Sequence, residues 1–220
     1  MQPLSIDLVS DVVCPWCFIG TKNLESALAS LGIETRLTFR PFLLDPSTPR
    51  AGEDLRERLR RKYGGDPEQM FARVEQAAKN SGIALDFSRV RLSCSTVDAH
   101  TLLRHAIERG TQVALAKALF SAYFQEGRDI GDRAVLTELS AAHGFAPDAP
   151  AGAITPLAAL LSDEERSRTR AEALALAEQG ISGVPFFIFD GRLAVSGAQP
   201  AAVLKSAMEQ ALASRTSEPA

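Results

Sequence analysis

Cysteine is scarce in this chain: three residues in 220, beside three histidines, two tyrosines and one tryptophan. Three thiols cannot staple a disulfide scaffold, so the cysteines need another reason to be there. No apolar stretch approaches the roughly 18 residues that a membrane span requires. There is no dense Lys/Arg run either, and 24 basic against 27 acidic side chains leave a net charge of −3. Such a chain is a poor binder of nucleic acid or of an anionic membrane surface. The opening Met1-Gln2-Pro3-Leu4-Ser5-Ile6-Asp7-Leu8 has neither a basic n-region nor an apolar h-region, so no signal peptide is expected and the expected compartment is the cytoplasm. Internal repeats and low-complexity tracts are absent too. What is present, 45% apolar and 23% charged residues, is the composition of a folded globule. The length suits one large domain, or a domain with an insertion.

The hydrophobic period changes along the chain. Leu4, Ile6 and Leu8 alternate with Ser5 and Asp7, a strand with one buried face. From Cys14 the spacing turns helical through Gly20, Leu24, Ala27, Leu28 and Leu31, with Gly32 placed to end the helix. Leu37 and Phe39 then alternate again, so a strand–helix–strand unit with parallel strands is expected. After the turn-rich stretch from Asp45 to Gly52 only helical patterns follow for over a hundred residues. They predict a charged helix from Glu53 to Tyr63 and another from Pro67 to about Gly82. A capping box at Ser95-Thr96-Val97-Asp98 opens a helix carrying Ala99, Leu102, Leu103, Ala106 and Ile107. Two more apolar stripes lie at Val113–Phe124 and Val135–Leu139. A proline-containing loop at Phe145–Pro156 precedes a last helix at about Ser162–Gln179. Sheet returns in the apolar run Val184-Pro185-Phe186-Phe187-Ile188-Phe189, expected to be covered on both faces. A hairpin at Asp190-Gly191 follows, then a strand at Arg192–Val195 and a helix opened by Pro200. The order predicts an α/β fold, a mixed β-sheet flanked by helices, with a large all-α insertion. Its boundaries are 1–45 plus 176–214 for the sheet domain, 46–175 for the insertion and 215–220 for a frayed tail.

Cys14-Pro15-Trp16-Cys17 falls where the first strand gives way to the first helix. Unpaired N–H groups and the positive end of the helix dipole favour an anion there, and thiols so placed can fall from about 8.5 to roughly 3.5–7.5 in pKa. The thiolate attacks disulfides, and a second thiol one turn along can resolve the mixed disulfide. Pro15 suits a first helical turn, and Trp16 offers a flat apolar surface beside the sulfur. Two other readings stand beside this one: a dispersed zinc site using Cys94 and a histidine, although no second closely spaced ligand pair exists, and two merely buried thiols. Val184-Pro185 is a second signal, because proline at the head of a central strand removes a ladder hydrogen bond. A cis bond there would turn the chain and present the Val184 backbone to an extended substrate beside Cys14; an ordinary trans proline at a strand start is the other reading.

Taken together, Cys14–Cys17, Arg40-Pro41-Phe42, Asp98-Ala99-His100, Tyr123–Ile130, Gly183–Phe187 and Ser196–Pro200 occur in an order that resembles the DsbA-like branch of thioredoxin-fold oxidoreductases, and more closely its FrnE-type members, related to 2-hydroxychromene-2-carboxylate isomerases. The resemblance implies a thioredoxin-like fold split by a helical insertion and a cis proline at Pro185. It also implies thiol–disulfide exchange with Cys14 as nucleophile and Cys17 as resolving thiol. One position departs from the pattern: Ser95-Thr96, preceded by Cys94, stands where relatives carry Asn-Thr. Substrates would be proteins or small molecules bearing thiols or disulfides. No metal or bound cofactor is expected, with glutathione as a redox partner. A glutathione-dependent isomerase or transferase is the alternative, though such enzymes typically place serine where Cys14 stands; a non-catalytic binding module or chaperone is a third. The apolar insertion leaves a homodimer open.

The remaining polar residues have plain expectations. Cys94 is a buried small hydrophobe with a regulatory thiol as alternative. His100 is a satisfied structural histidine or a cleft residue. His100 and His105 share no helical face and make no metal pair. His143, before Gly144, caps a helix end, and the Glu53–Lys62 cluster is a solvated face.

Overall fold

The computed structural model describes residues 2–145 and 157–215. Strand β1 (Leu4–Ser10) runs into α1 (Pro15–Leu31), and β2 (Thr35–Pro41) returns parallel to β1, with Leu4 opposite Thr35 and Ser10 opposite Pro41. A long excursion follows: β3 (Glu53–Asp54), α2 (Leu55–Tyr63), α3 (Pro67–Asn80), β4 (Leu92–Ser93), α4 (Val97–Glu108), α5 (Gln112–Phe124), α6 (Arg133–Ala141), α7 (Leu157–Leu160) and α8 (Asp163–Glu178). The chain then closes with β5 (Phe186–Phe189), β6 (Leu193–Ser196) and α9 (Ala201–Arg215). The sheet order is β2-β1-β5-β6, with β5 antiparallel to both β1 and β6. This is the expected mixed sheet flanked by helices.

The reasons are local and then tertiary. Pro15 occupies the first turn of α1, and Gly32 ends it at φ 61°, its N–H bonded to the Leu28 carbonyl. Asp190 and Gly191 take positive φ of 53° and 67° to turn β5 into β6. The alternation read in β1 is real: Leu4, Ile6 and Leu8 are buried between half-buried Ser5 and Asp7. Their face joins one core shared with α1, α5 and α9. Phe18 stacks on Phe120 at 5.2 Å, tying the first helix to α5. On β5, Phe187 and Phe189 enter that core. Phe186 and Ile188 pack half-buried on the other side, against a smaller cluster with Val9, Phe42 and Ile181. The β2 edge is covered by a side chain: Gln112 accepts from Phe39 N–H and donates to Phe39 C=O, both at 2.9 Å, in place of a fifth strand.

Several expectations are corrected. Helix α2 begins at Leu55, not Glu53, with Asp54 as its cap accepting from Glu57 N–H at 2.8 Å. Glu53 and Asp54 instead pair with Ser93 and Leu92 in a two-residue antiparallel ladder, a small strand pair within the otherwise helical excursion. The charge cluster is not simply a solvated face either. Arg58 is buried and ion-paired to Asp45 and Glu53, and Glu53 also takes Arg61. The capping box does not form: Thr96 is the N-cap without a side-chain bond. Asp98 accepts two hydrogen bonds from Arg166, at 2.5 and 2.9 Å. A charge-assisted fork outcompetes a bond to one backbone amide. Arg215, assigned to the frayed tail, ends α9 as a clamp, donating to both Asp190 carboxylate oxygens and to the carbonyls of Gln2 and Pro3. Residues 146–156 of the expected loop and 216–220 of the tail lie outside the described residues; Phe145 is buried under the Arg109 guanidinium.

Two glycines separate conformational strain from steric exclusion. Both Gly32 and Gly127 have positive φ, but a Cβ on Gly32 would meet open space, whereas one on Gly127 would lie 2.4 Å from the Arg89 carbonyl oxygen. Gly32→Ala should cost about 1 kcal/mol, the left-handed penalty alone. Gly127→Ala should cost at least about 2 kcal/mol more, because backbone must move. Urea denaturation of the two variants checks this, and equal losses would refute it.

Candidate active site

Strand β1 delivers the dithiol. Past Ser10 the chain turns tightly, Cys14 N–H bonding the Asp11 carbonyl at 2.9 Å. Cys14 becomes the N-cap of α1 in extended conformation (φ −91°, ψ 112°), and its carbonyl accepts from the N–H groups of Cys17 and Phe18. The Cys14 sulfur makes no bond to the helix amides. It donates instead to the Val184 carbonyl, Sγ to O 3.7 Å. The Val184–Pro185 peptide is cis, and β5 starts only at Phe186, so this turn lies ahead of the ladder and Pro185 displaces no strand hydrogen bond. Residues 170 positions apart, singled out separately in the sequence, thus meet at one point.

The two thiols have unlike surroundings. Cys14 is 4% exposed beside Trp16, which is 41% exposed, while Cys17 is fully buried. Burial foremost, then its hydrogen bond with the Cys14 sulfur, pushes the Cys17 thiol well above the usual range. Cys14 and Cys17 are both free, one helical turn apart. Helix α1 comes unusually close to the proline turn, since a Cβ on Gly20 would lie 2.9 Å from Pro185 Cγ. Glycine at that position lets the dithiol and Val184 share one site.

Other expected residues fall outside this point of contact. Cys94 is buried, as expected of a small hydrophobe, and burial with the Asp129 charge raises its thiol far above the ordinary range. His105 faces Glu165 on α8 at 3.1 Å, and the His143 backbone donates its N–H to the Ser140 carbonyl and accepts at its carbonyl from the Thr111 hydroxyl. His100 is the satisfied histidine, but its partner was not anticipated. Its Nε2 lies 3.2 Å from Asp11 Oδ1, and both side chains are buried. The second Asp11 oxygen accepts from Leu44 N–H at 2.8 Å. One carboxylate therefore fastens the turn below Cys14 to α4 and to the chain leaving β2. The available signal was an acid in the apolar run Val9–Val13.

The profile of the DSBA-like thioredoxin domain matches residues 5–209. The chain belongs to this family. A crystal structure of a probable DsbA oxidoreductase from Streptomyces coelicolor is 34% identical, with a TM-score of 0.83 over 99% of this chain and 93% of that one. More distant structures share the fold. A 2-hydroxychromene-2-carboxylate isomerase is 16% identical, with a TM-score of 0.66 over 98% and 100% of the two chains. The cytosolic disulfide reductase DsbM from Pseudomonas aeruginosa, solved with glutathione, is 16% identical, with a TM-score of 0.62 over 96% and 98%. The chain thus has the thioredoxin fold of the DsbA-like thiol oxidoreductase family. Among its described residues no helix is long and apolar enough to cross a membrane.

Two outcomes follow from the unlike thiols. Iodoacetamide near neutral pH should label Cys14 in the folded protein and leave Cys17 and Cys94 untouched, read by peptide mass spectrometry; equal labelling of Cys14 and Cys94 would refute the assignment. Cys17 and Cys94 stay protonated in the fold beyond the pH at which the unfolded chain ionises them. The unfolded state therefore loses protons first, and the reduced protein should lose stability as pH rises above about 8.5. Each thiol contributes at most about 1.4 kcal/mol per pH unit. Cys94→Ala should remove about half of that slope between about pH 8.5 and 10, measured by denaturant unfolding.

Proposed function

We propose that this protein is a thiol–disulfide oxidoreductase in which Cys14 is the nucleophile and Cys17 the resolving thiol. The observation that carries the reading is the Cys14 sulfur at the opening of α1, against the Val184 carbonyl, with fully buried Cys17 one turn behind it. In the reducing direction the Cys14 thiolate attacks one sulfur of a substrate disulfide. The Cys14–substrate bond forms, the substrate S–S bond breaks, and the departing thiolate takes a proton. Cys17 then gives up its proton and attacks the Cys14 sulfur, closing a Cys14–Cys17 disulfide and releasing the second substrate thiol. Two electrons have passed from the protein to the substrate. Two thiols of an external carrier, such as glutathione, restore the dithiol and leave as a disulfide. The oxidising direction is the same sequence reversed.

Each neighbour has a part in this reading. Pro15 holds the first helical turn without spending an amide. Trp16 gives the substrate an apolar surface beside the sulfur. The Val184 carbonyl, freed for an incoming chain when Cys14 ionises, pairs with an extended substrate segment, and Pro185 keeps that backbone turned toward the dithiol. The described residues of the insertion, 46–145 and 157–175, form a roof between the two halves of the sheet domain, 2–45 and 176–214. In the cytoplasm, which keeps dithiols largely reduced, the reducing or isomerising direction is favoured; the cytosolic DsbM fold relative supports that compartment.

A glutathione-coupled assay with hydroxyethyl disulfide, paired with insulin reduction, tests the reading. Wild-type protein should turn over, and Cys14→Ser should fall to the uncatalysed rate. Cys17→Ser should accumulate a mixed disulfide at Cys14 visible by intact mass. Undiminished turnover by Cys14→Ser overturns the dithiol mechanism and leaves the isomerase or binding-module readings.

A further inference from the structure

Asp11 is bonded through its backbone to both cysteines of the site. Its carbonyl accepts from the Cys14 N–H at 2.9 Å, and its own N–H donates to the Cys17 sulfur. Burial is the main reason that Cys17 resists ionisation, and the Asp11 N–H works against it. A donor on the sulfur favours the thiolate over the thiol. The Asp11 carboxylate acts in the other direction, its negative charge disfavouring a second one on Cys17. One residue therefore both helps and hinders charge on the resolving sulfur, and the balance depends on how it is held.

What holds Asp11 is distant in sequence. Its side chain is 1% exposed, so its charge needs donors inside the protein. The Leu44 N–H supplies one, 2.8 Å from Oδ2, and His100 Nε2 lies 3.2 Å from Oδ1. An ionised carboxylate can only accept, so Nε2 carries the proton in this pair. His100 is buried too and sits on α4, inside the helical excursion. It is thus a direct polar link from that excursion to the turn carrying the dithiol. Without the His100 donor the buried carboxylate is one bond short, and its charge bears more fully on Cys17. A turn relaxed to satisfy that carboxylate also moves its N–H relative to the Cys17 sulfur. Both changes oppose charge on Cys17.

We propose that His100 is a positioning residue of the resolving step, acting through Asp11: it anchors the Asp11 carboxylate and so keeps the Asp11 N–H on the Cys17 sulfur. The proposal rests on the dithiol reading above. In the resolving step the Cys17 sulfur attacks the Cys14 sulfur of the mixed disulfide. The Cys14–Cys17 bond forms, the Cys14–substrate bond breaks, and the Cys17 proton ends on the departing substrate sulfur. Negative charge passes through the Cys17 sulfur, where the Asp11 N–H meets it. The first attack, by Cys14 on the substrate, places no charge there.

Two variants of matched size test this. His100→Met and His100→Gln are close to each other in shape, and only Gln keeps a donor. Pre-reduced protein is mixed with glutathione disulfide, acid-quenched over time, alkylated and read by intact mass, which separates the mixed disulfide from the Cys14–Cys17 disulfide. In His100→Met the mixed disulfide should form within about twofold of the wild-type rate and resolve about tenfold more slowly, as for loss of a hydrogen bond to a charged group. His100→Gln should resolve within about threefold of wild type, because its amide N–H replaces the lost donor. Equal slowing of both steps, unchanged resolution in His100→Met, or the same loss in His100→Gln overturns the assignment. Nitrogen NMR of the wild type adds a check that needs no variant. His100 Nε2 should be protonated, and its signal should move when the dithiol is oxidised while that of His143 stays. A bare Nε2, or a His100 signal indifferent to oxidation, also overturns the assignment. Wild-type protein that forms no mixed disulfide at all overturns instead the dithiol reading beneath it.

Discussion

Everything at the site depends on where β1 sits in the sheet. It lies between a parallel and an antiparallel neighbour, so its C-terminal end is beside the N-terminal end of β5. That geometry sets the opening of α1 against the turn at Val184 and Pro185 and brings sulfur to carbonyl across the whole length of the chain. An all-parallel sheet would have placed the start of β5 at the opposite end from Cys14. Gly20 then allows the helix to come down onto the proline ring.

The helical excursion is held by polar contacts that choose a position more than they add stability. Arg40 links Asp7 on β1 to Glu172 on α8, and Arg104 on α4 reaches the same glutamate and Glu165. These pairs are partly exposed, where each is worth about 0–1 kcal/mol. Their value lies in register, since a shifted α8 would leave several half-buried charges unpaired. The apolar core supplies the larger energy and runs without a break from the sheet into α4 and α5. The Asp11 carboxylate serves both purposes, buried below the dithiol and shared by α4 and the chain after β2.

The unlike settings of the two thiols give the pair its direction. Both side chains are nearly inaccessible, so exposure alone does not separate them. Cys14 stands at a helix terminus with an exposed indole beside it, while Cys17 has no solvent and faces another sulfur. In the proposed exchange, a thiol beside the exposed indole with a protonated thiol behind it is the order in which a mixed disulfide first forms and is then resolved.

What the sequence determined by itself was the local grammar. The helix opening at Pro15 and closing at Gly32, the alternation in β1 and the Asp190-Gly191 turn follow from period, caps and positive φ. Those depend on residues within a few positions of one another. The site's two cysteines were legible for the same reason, because a strand-to-helix junction is itself a local event. Tertiary structure alone decided which partner each charged or polar group would take. Asp98 left its expected cap for Arg166, 68 residues away, and Asp11 met His100 across 89. Arg58 was drawn out of solvent by two acids, and Arg215 turned a tail into a clamp. A side chain's strongest partner is the one that folding brings within about 3 Å, and no period or spacing along the chain encodes that distance.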